Sequence, residues 1–179
     1  MKTTQILIAG FGGQGILFSG KFLAYKGLVE ELQVSWLPSY GPEMRGGTAN
    51  CNVILSDTPV GSPIITVPDV LIAMNLPSLQ KYVDSVAPGG QIYVDSSLID
   101  ARVERDDVEV FYIPATQMAK DAGIGTLANM IIIGHLLENH PELSFLGTDK
   151  VVESLVPPKK AALKELNMKA LDLGKNYNK

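Results

Sequence analysis

Short apolar runs alternate along the chain with stretches in which apolar residues recur every three or four positions. The runs predict six β-strands, at Thr4–Ala9, Gln33–Leu37, Thr48–Leu55, Val70–Met74, Gln91–Val94 and Val108–Ile113. The stretches predict six helices, at Gly13–Glu30, Pro77–Val86, Pro114–Ala122, Thr126–Asn139, Asp149–Leu155 and Lys159–Asn176. This alternation is typical of an α/β domain whose mostly parallel sheet is covered by helices on both sides.

Two proline-containing segments set boundaries in this pattern. Pro38 is expected to stop the second strand, because proline has no N–H group to donate to a neighbouring strand. Thr58–Pro68 contains three prolines and one glycine, which predicts a loop or a frayed sheet edge. The whole chain, residues 1–179, is interpreted as one domain, with its C-terminal helices starting at about residue 148.

The polar candidates follow the predicted strands. Ligands of parallel sheets bind beyond the carboxyl ends of the strands. The pattern therefore predicts that Gly10–Gly15, Ser39–Gly47, Asn75 and Asp95 converge on one rim.

Several of these side chains have two interpretations. Asn75 and Asp95 either line the rim or cap the helices that follow them, and capping is the more conservative interpretation. Thr126 and Asn129 either face the rim or hold the start of a helix.

The first turn, between a strand and a helix, has the spacing G-x-G-x-x-G at Gly10, Gly12 and Gly15. Such a turn brings backbone N–H groups and a helix N-terminus close to an anion. The alternative is a tight turn with no ligand. Ordinary dinucleotide binding is disfavoured, because no carboxylate ends the second strand near Ser35 to Leu37 and the first arginine after the turn is Arg45.

The loop Ser39–Gly47 combines three glycines, a proline and two charges, on Glu43 and Arg45. Arg45 is followed by two glycines and can reach an anionic group, for which a charge-assisted hydrogen bond contributes about 1.5–3 kcal/mol. The alternative is an internal contact in which Arg45 braces the loop.

Composition excludes several classes of protein. Apolar residues make up 46 % of the chain and charged residues 19 %, with a net charge of −4, which predicts a folded core and argues against a nucleic-acid partner. The single cysteine, Cys51, excludes an intramolecular disulfide and a cluster held by four cysteines of this chain, and its position within a strand indicates a buried hydrophobe. No signal peptide and no apolar run of about 20 residues are present, so the sequence predicts no membrane span and a cytoplasmic protein.

The motifs "GFGGQGI", "SYGPEMRGGTANC", "MNLPSL", "PGG" and "LANMIIIG" occur in the order of similar stretches in one family. From about Thr4 to about Leu137, and more loosely beyond, the chain resembles the gamma subunit of 2-oxoacid:ferredoxin oxidoreductases, of the 2-oxoglutarate type. The resemblance implies a three-layer α/β/α Rossmann-like domain like the gamma domain of pyruvate:ferredoxin oxidoreductase. It also implies a complex that converts a 2-oxoacid, CoA and oxidised ferredoxin to acyl-CoA, CO2 and reduced ferredoxin.

In that family this chain lines the CoA side of the site and is not catalytic alone. The residues that the resemblance places there are Gly10, Gly12, Gly13, Gln14, Gly15, Ser39, Tyr40, Gly41, Pro42, Glu43, Arg45, Gly46, Gly47 and Asn75. Thiamine diphosphate, magnesium and the iron–sulfur clusters are expected in partner subunits, because the chain has no Gly-Asp-Gly motif and no set of cysteines.

The expected partners are alpha and beta subunits, a ferredoxin-like delta subunit where the assembly has one, and ferredoxin through the complex. Trp36, Leu37, Tyr40 and Met44 lie near the loop and predict that the isolated chain self-associates as a dimer. Two other functions stay open from the residues alone: a stand-alone nucleotide- or flavin-binding protein, and a scaffolding module with an empty rim.

Overall fold

The computed structural model describes residues 3–40 and 48–178, without the side chain of Tyr40. The strands are β1 (Thr4–Phe11), β2 (Gln33–Tyr40), β3 (Thr48–Ser56), β4 (Val70–Ala73), β5 (Gln91–Asp95) and β6 (Glu109–Ile113). The α-helices are α1 (Ile16–Val29), α2 (Leu76–Tyr82), α3 (Ala115–Asp121), α4 (Ala128–Asn139), α5 (Thr148–Leu155) and α6 (Ala161–Lys175). Short 3-10 turns follow α2 at Val83–Ser85, follow α4 at Pro141–Leu143, and precede α6 at Pro158–Lys160. All the predicted strands and helices are therefore present, with shifted ends.

The six strands form one sheet in the order β2-β3-β1-β4-β5-β6. β1, β4, β5 and β6 are parallel neighbours, whereas β3 is antiparallel to both β1 and β2. β2 therefore points in the same direction as β1, and five of the six strands end at the same edge. The predicted mostly parallel α/β sheet is confirmed, with β3 as the reversed strand.

One strand boundary was predicted wrongly. β2 does not stop at Pro38 but continues to Tyr40, and Pro38 pairs with Cys51 of β3. The reason is the position of β2 at the edge of the sheet. An edge strand tolerates proline where the missing N–H would have faced away from the neighbouring strand.

The two faces of the sheet are covered unequally. On one face, Ile6, Ile8, Ile72 and other strand residues form a core with residues of α1, α3, α4, α5 and α6. On the other face, Leu7, Leu71 and Val94 pack with Leu79 of α2 and with non-helical chain around Ile99. The three layers that the resemblance implied are present, but the second helical layer consists of one short helix.

Within the described ranges, no helix is both long and apolar enough to cross a membrane. The segment predicted as a loop, Thr58–Pro68, contains neither strand nor helix and connects β3 to β4. Among its residues, Ile64 is 63 % exposed and Val67 is 51 % exposed.

Candidate functional site

The predicted convergence at the carboxyl ends of the strands is present. Gly10 lies near the end of β1, Ser39 near the end of β2, Asn75 just after β4, and Asp95 at the end of β5. The strands that carry these residues, β1, β2, β4 and β5, all run in the same direction. We call this edge of the sheet the carboxyl rim. Gly41, Pro42, Glu43, Arg45, Gly46 and Gly47 fall outside the described residues, although the strands on either side of them, β2 and β3, bring both ends of the loop to this rim.

The glycine-rich turn leads directly into the N-terminus of α1. Gly15 is the N-cap residue, has a left-handed backbone with φ of 76°, and provides no side-chain cap. The N–H groups of Gly13, Gly15 and Ile16 donate to no backbone carbonyl or side chain within residues 3–40 and 48–178. These unpaired donors, together with the positive end of the helix dipole, favour an anion beside the turn.

Packing explains two of the glycines without a ligand. A Cβ atom on Gly10 would lie 2.7 Å from Oε1 of Gln14 and 2.9 Å from Cβ of Met74. A Cβ atom on Gly15 would overlap the side chain of Asn129. Gly13 is different, because its backbone has φ of 93° and nothing lies within 4 Å of the place of its Cβ. The turn therefore combines glycines required by packing with one that leaves the backbone open to solvent.

Asn75 and Asp95 both cap helices or turns. Oδ1 of Asn75 accepts the N–H of Ser78 at 2.8 Å, at the start of α2. Asp95 is completely buried and accepts hydrogen bonds from the N–H of Ser97 and from the N–H and hydroxyl of Thr116. The capping interpretation is thus confirmed for both residues. Nδ2 of Asn75, which is 3 % exposed, has no hydrogen-bond partner.

A hollow of about 320 Å³ opens beside the glycine-rich turn. It lies between the N-termini of α1 and α4 and the connection from α5 to α6, and we call it the turn hollow. Its lining residues are Gly13, Gly15, Phe18, Thr126, Leu127, Asn129, Leu155, Val156, Pro157, Lys160, Leu163 and Asn167.

Two buried amides give the turn hollow its polarity. Asn129 donates from Nδ2 to the carbonyl of Gly15 at 3.2 Å and to the hydroxyl of Ser19 at 2.9 Å. Asn167 donates from Nδ2 to the carbonyl of Leu163 at 2.7 Å. Both asparagines are 4 % exposed, and Oδ1 of each has no hydrogen-bond partner. Buried polar atoms are nearly always paired, so these two acceptors lack the partner that such atoms usually have, although neither oxygen is exposed to the hollow itself.

Asn129 does not cap its own helix, α4, but holds the first turn of α1, and it also lines the hollow. Thr126 lines the hollow as well. Sequence reasoning missed Asn167 and Lys160. Asn167 carried a signal, because it occupies an otherwise apolar position of α6, four residues after Leu163 and four before Leu171.

The topology disfavours a dinucleotide site of the usual kind. The neighbours of β1 are β3 and β4, so β2 does not lie beside the glycine-rich turn's strand. β2 also contains no carboxylate that could hold a ribose.

Cys51 does not contribute to a reactive site. Its side chain is completely buried, and burial raises the pKa of its thiol to about 12 against a smaller opposing effect of a hydrogen bond with Trp36. The described part of the chain contains no group of three or more His, Cys, Asp or Glu residues that could hold a metal ion.

Trp36 and Leu37 do not share one face of the sheet. Trp36 and Leu37 are 38 % and 36 % exposed, but neighbouring residues of a strand point to opposite faces of the sheet. The side chain of Tyr40 and all of Met44 lie outside the described residues. The two exposed side chains therefore flank the edge of the sheet instead of forming a single patch.

Some curated relatives match this chain along nearly their whole length, and others along only about a third of it. The chain is 34 % identical to the 2-oxoglutarate synthase subunit KorC of Methanothermobacter marburgensis, over 96 % of this chain and 94 % of the relative. It is 33 % identical to the ketoisovalerate oxidoreductase subunit VorA of the same organism, over 98 % of this chain but only 37 % of the relative. This chain thus spans about a third of the length of the VorA relatives.

Solved structures match over the same extent. The gamma subunit of the keto/oxoacid ferredoxin oxidoreductase of Geobacter sulfurreducens has a TM-score of 0.84 and 31 % identity, covering 97 % of this chain and 95 % of the other. The 2-oxoglutarate:ferredoxin oxidoreductase of Magnetococcus marinus, solved with 2-oxoglutarate, coenzyme A and succinyl-CoA, has a TM-score of 0.86 and 28 % identity. That match covers 98 % of this chain and 31 % of the other.

These matches do not favour a stand-alone nucleotide- or flavin-binding protein. Residues 5–177 match the family described as pyruvate ferredoxin/flavodoxin oxidoreductase. This family match covers nearly the entire chain, as do the matches to the relatives and structures above. The chain belongs to the pyruvate ferredoxin/flavodoxin oxidoreductase family.

Proposed function

We propose that this chain is the gamma subunit of a cytoplasmic 2-oxoacid:ferredoxin oxidoreductase and binds part of CoA at the carboxyl rim. The 2-oxoacid is 2-oxoglutarate, as the KorC relatives and the Magnetococcus marinus structure support. Alpha and beta subunits, with a delta subunit where present, supply thiamine diphosphate, magnesium and the iron–sulfur clusters. The single observation that carries the CoA assignment is the turn hollow, which places unpaired N–H donors beside two unpaired carbonyl acceptors.

CoA carries the two kinds of group that this arrangement can bind. Its phosphates suit the free N–H groups of the glycine-rich turn and the ammonium group of Lys160. Its amides and hydroxyls can pair with Oδ1 of Asn129 and Oδ1 of Asn167 once these buried side chains turn toward the ligand. A hollow of about 320 Å³ is at the small end of the range for ligand pockets, so partner subunits enclose the remainder of the molecule.

This chain contributes binding and orientation, and the chemistry belongs to groups held by its partners. Thiamine diphosphate, when bound in the complex, supplies the carbanion chemistry that cleaves the 2-oxoacid. The rim residues of this chain hold CoA so that its thiol end extends toward the partner subunits. The sequence adds Glu43 and Arg45 with Gly41, Pro42, Gly46 and Gly47 to the proposed CoA-binding residues.

The proposal is tested on the assembled complex with the variants Lys160→Met and Asn167→Leu. Each removes a group from the turn hollow and is expected to raise the apparent KM for CoA about tenfold or more, with little change in the KM for the 2-oxoacid. Lys159→Met and Asn139→Leu are matched controls. Lys159 does not line the hollow, and Asn139 bonds the carbonyl four residues before it, as Asn167 does, but at the far end of α4.

An unchanged KM for CoA in both hollow variants contradicts the CoA site. The subunit assignment has a separate test, in which the tagged chain is purified from its host. Recovery without iron and without thiamine-binding chains contradicts membership of the complex. If the isolated chain is coloured or holds a nucleotide, the stand-alone alternative is favoured.

A further inference from the structure

The side chain of Gln14 crosses the glycine-rich turn and is bonded at both ends. Its Oε1 accepts the N–H of Phe11 at 2.6 Å, and its Nε2 donates to the carbonyl of Met74 at 2.8 Å. The backbone N–H of Gln14 also donates to the carbonyl of Phe11 at 3.2 Å. From the sequence, Gln14 was expected to bind the ligand. In the structure, both ends of its amide bond to the protein backbone.

The two bonds connect neighbouring strands at the carboxyl rim. Phe11 is the last residue of β1, and Met74 directly follows the last residue of β4. The backbone N–H of Met74 donates to the carbonyl of Ala9 in β1, which is parallel to β4. The absence of a side chain at Gly10 makes room for this connection, because a Cβ atom there would lie 2.7 Å from Oε1 of Gln14. The amide therefore fixes where the chain leaves β1 and how it turns toward α1.

Gly13 and Gly15, on either side of Gln14, line the turn hollow. Gly13 has a positive φ, and no atom lies within 4 Å of the place of its Cβ, so no side-chain packing holds its backbone in one orientation. Asn129 holds the other end of the turn through the carbonyl of Gly15. Gln14 on one side and Asn129 on the other are thus the side chains that fix the turn, and the orientation of the free N–H groups depends on both.

We infer that Gln14 is a positioning residue for CoA: it does not touch the ligand but sets the geometry of the N–H groups that do. This inference rests on the proposed function, because it assigns the ligand of the turn as CoA. Without the Gln14 amide, the N–H of Phe11 and the carbonyl of Met74 lose their partners and the turn samples other conformations. CoA must then order the turn as it binds, which weakens its affinity.

The test uses the assembled complex with Gln14→Leu and Gln14→Glu. Gln14→Leu removes both bonds. Gln14→Glu has nearly the same shape and keeps the acceptor for Phe11, but it places a carboxylate oxygen against the carbonyl of Met74, so it provides a second variant if Gln14→Leu does not assemble. Both are expected to raise the KM for CoA at least fivefold, without change in the KM for the 2-oxoacid or in kcat at saturating CoA.

Gln91→Leu is the matched control. Gln91 is also bonded at both ends of its amide, to Tyr93 and His140 through Oε1 and to Glu109 through Nε2, but it lies at the start of β5, at the opposite edge of the sheet. It is expected to lower thermal stability and to leave the KM for CoA unchanged. A purely structural role of Gln14 predicts the same behaviour as this control.

Hydrogen–deuterium exchange of the Phe11 amide in the complex without CoA provides a readout independent of kinetics. Faster exchange of that amide in Gln14→Leu is expected. If exchange is unchanged, or if the KM for CoA stays constant while Lys160→Met and Asn167→Leu raise it, the role of Gln14 is overturned and the proposed function stands. If none of the three sites affects the KM for CoA, the proposed CoA site fails and the inference fails with it, while the subunit assignment is decided by its own test.

Discussion

Gly134 of α4 lies directly against the backbone of Leu171 in α6, so that a Cβ atom on Gly134 would overlap the carbonyl oxygen of Leu171. The same relationship is repeated one helical turn away, where a Cβ atom on Gly174 would overlap the carbonyl oxygen of Ile131. The two helices thus approach each other backbone to backbone. This contact fixes the position of α6, and with it Asn167, relative to the start of α4.

Replacement of either glycine by alanine should therefore destabilise the protein. Because the overlapping atoms belong to the backbone, they cannot move aside as a side chain can, and we expect Gly134→Ala and Gly174→Ala each to lower the free energy of unfolding by about 1–3 kcal/mol or more. Urea denaturation measures this loss. Gly61→Ala and Gly125→Ala are the controls, since a Cβ atom at either position meets nothing within 4 Å. Equal stability of all four variants contradicts the close contact.

A second prediction concerns the pH dependence of stability. His135 is 7 % exposed, and its ring packs edge-on against Tyr93, Phe111 and Tyr177. Burial lowers its pKa, and the hydrogen bond with the carbonyl of Gly174 and the charge of Glu138 only partly oppose this effect.

As the pH falls, the unfolded chain therefore takes up this proton first, near its ordinary pKa of about 6.5. The contribution of His135 is fully present above that pH and is lost below it. The free energy of unfolding should thus fall between pH 7 and pH 5, and His135→Phe should make this fall shallower. His140→Gln, which leaves the buried ring of His135 in place, is the control. A slope that does not change in His135→Phe is inconsistent with this assignment.

Cys51 should be unreactive in the folded protein. Its thiol is completely buried and, with a pKa of about 12, stays protonated at neutral pH, whereas the reactive species is the exposed thiolate. We expect alkylation by iodoacetamide to follow the unfolding curve in urea, measured by mass spectrometry. Complete modification within minutes in native buffer is the contrary result.

The prediction for Arg45 comes from the sequence, because Arg45 lies outside the described residues; the structure adds only that β2 ends and β3 begins at the carboxyl rim. If its guanidinium binds a phosphate of CoA, Arg45→Ala in the assembled complex should raise the KM for CoA ten- to hundredfold. Arg45→Lys should restore only part of the affinity, because the ammonium group of lysine does not form the bidentate hydrogen bonds that a guanidinium forms with a phosphate. If Arg45 instead braces the loop, assembly or thermal stability falls and the KM for CoA does not change.

The hydrophobic pattern was sufficient to predict the strands and helices, because strands buried on both faces leave short apolar runs and helices leave a period of about 3.6 residues. The hydrophobic pattern does not show in which direction a strand runs in the sheet. Thr48–Leu55 shows the alternation of a strand, but only the structure shows that it runs opposite to β1 and separates β1 from β2. Strand direction depends on which distant segments pair, and that information is not in the periodicity of any one segment.

Only part of the candidate site could be predicted from the sequence. The turn and the cap at Asn75 follow from local rules of spacing and helix initiation, whereas the turn hollow depends on α6 lying against α4. Asn167 and Gly13 are more than 150 residues apart in the chain yet line the same hollow. Local patterns therefore located the glycine-rich turn and Asn129 but missed Asn167 and Lys160.

Pro38 near the middle of the edge strand has a consequence for how copies of the protein can meet. A sheet grows into a fibre when the free edge of one copy pairs its backbone with the edge of the next. At Pro38 the free edge of β2 has no N–H to offer, and the strand is only eight residues long. Growth of this sheet through β2 is therefore interrupted at Pro38, and edge-to-edge pairing of two β2 strands does not account for the dimer expected of the isolated chain.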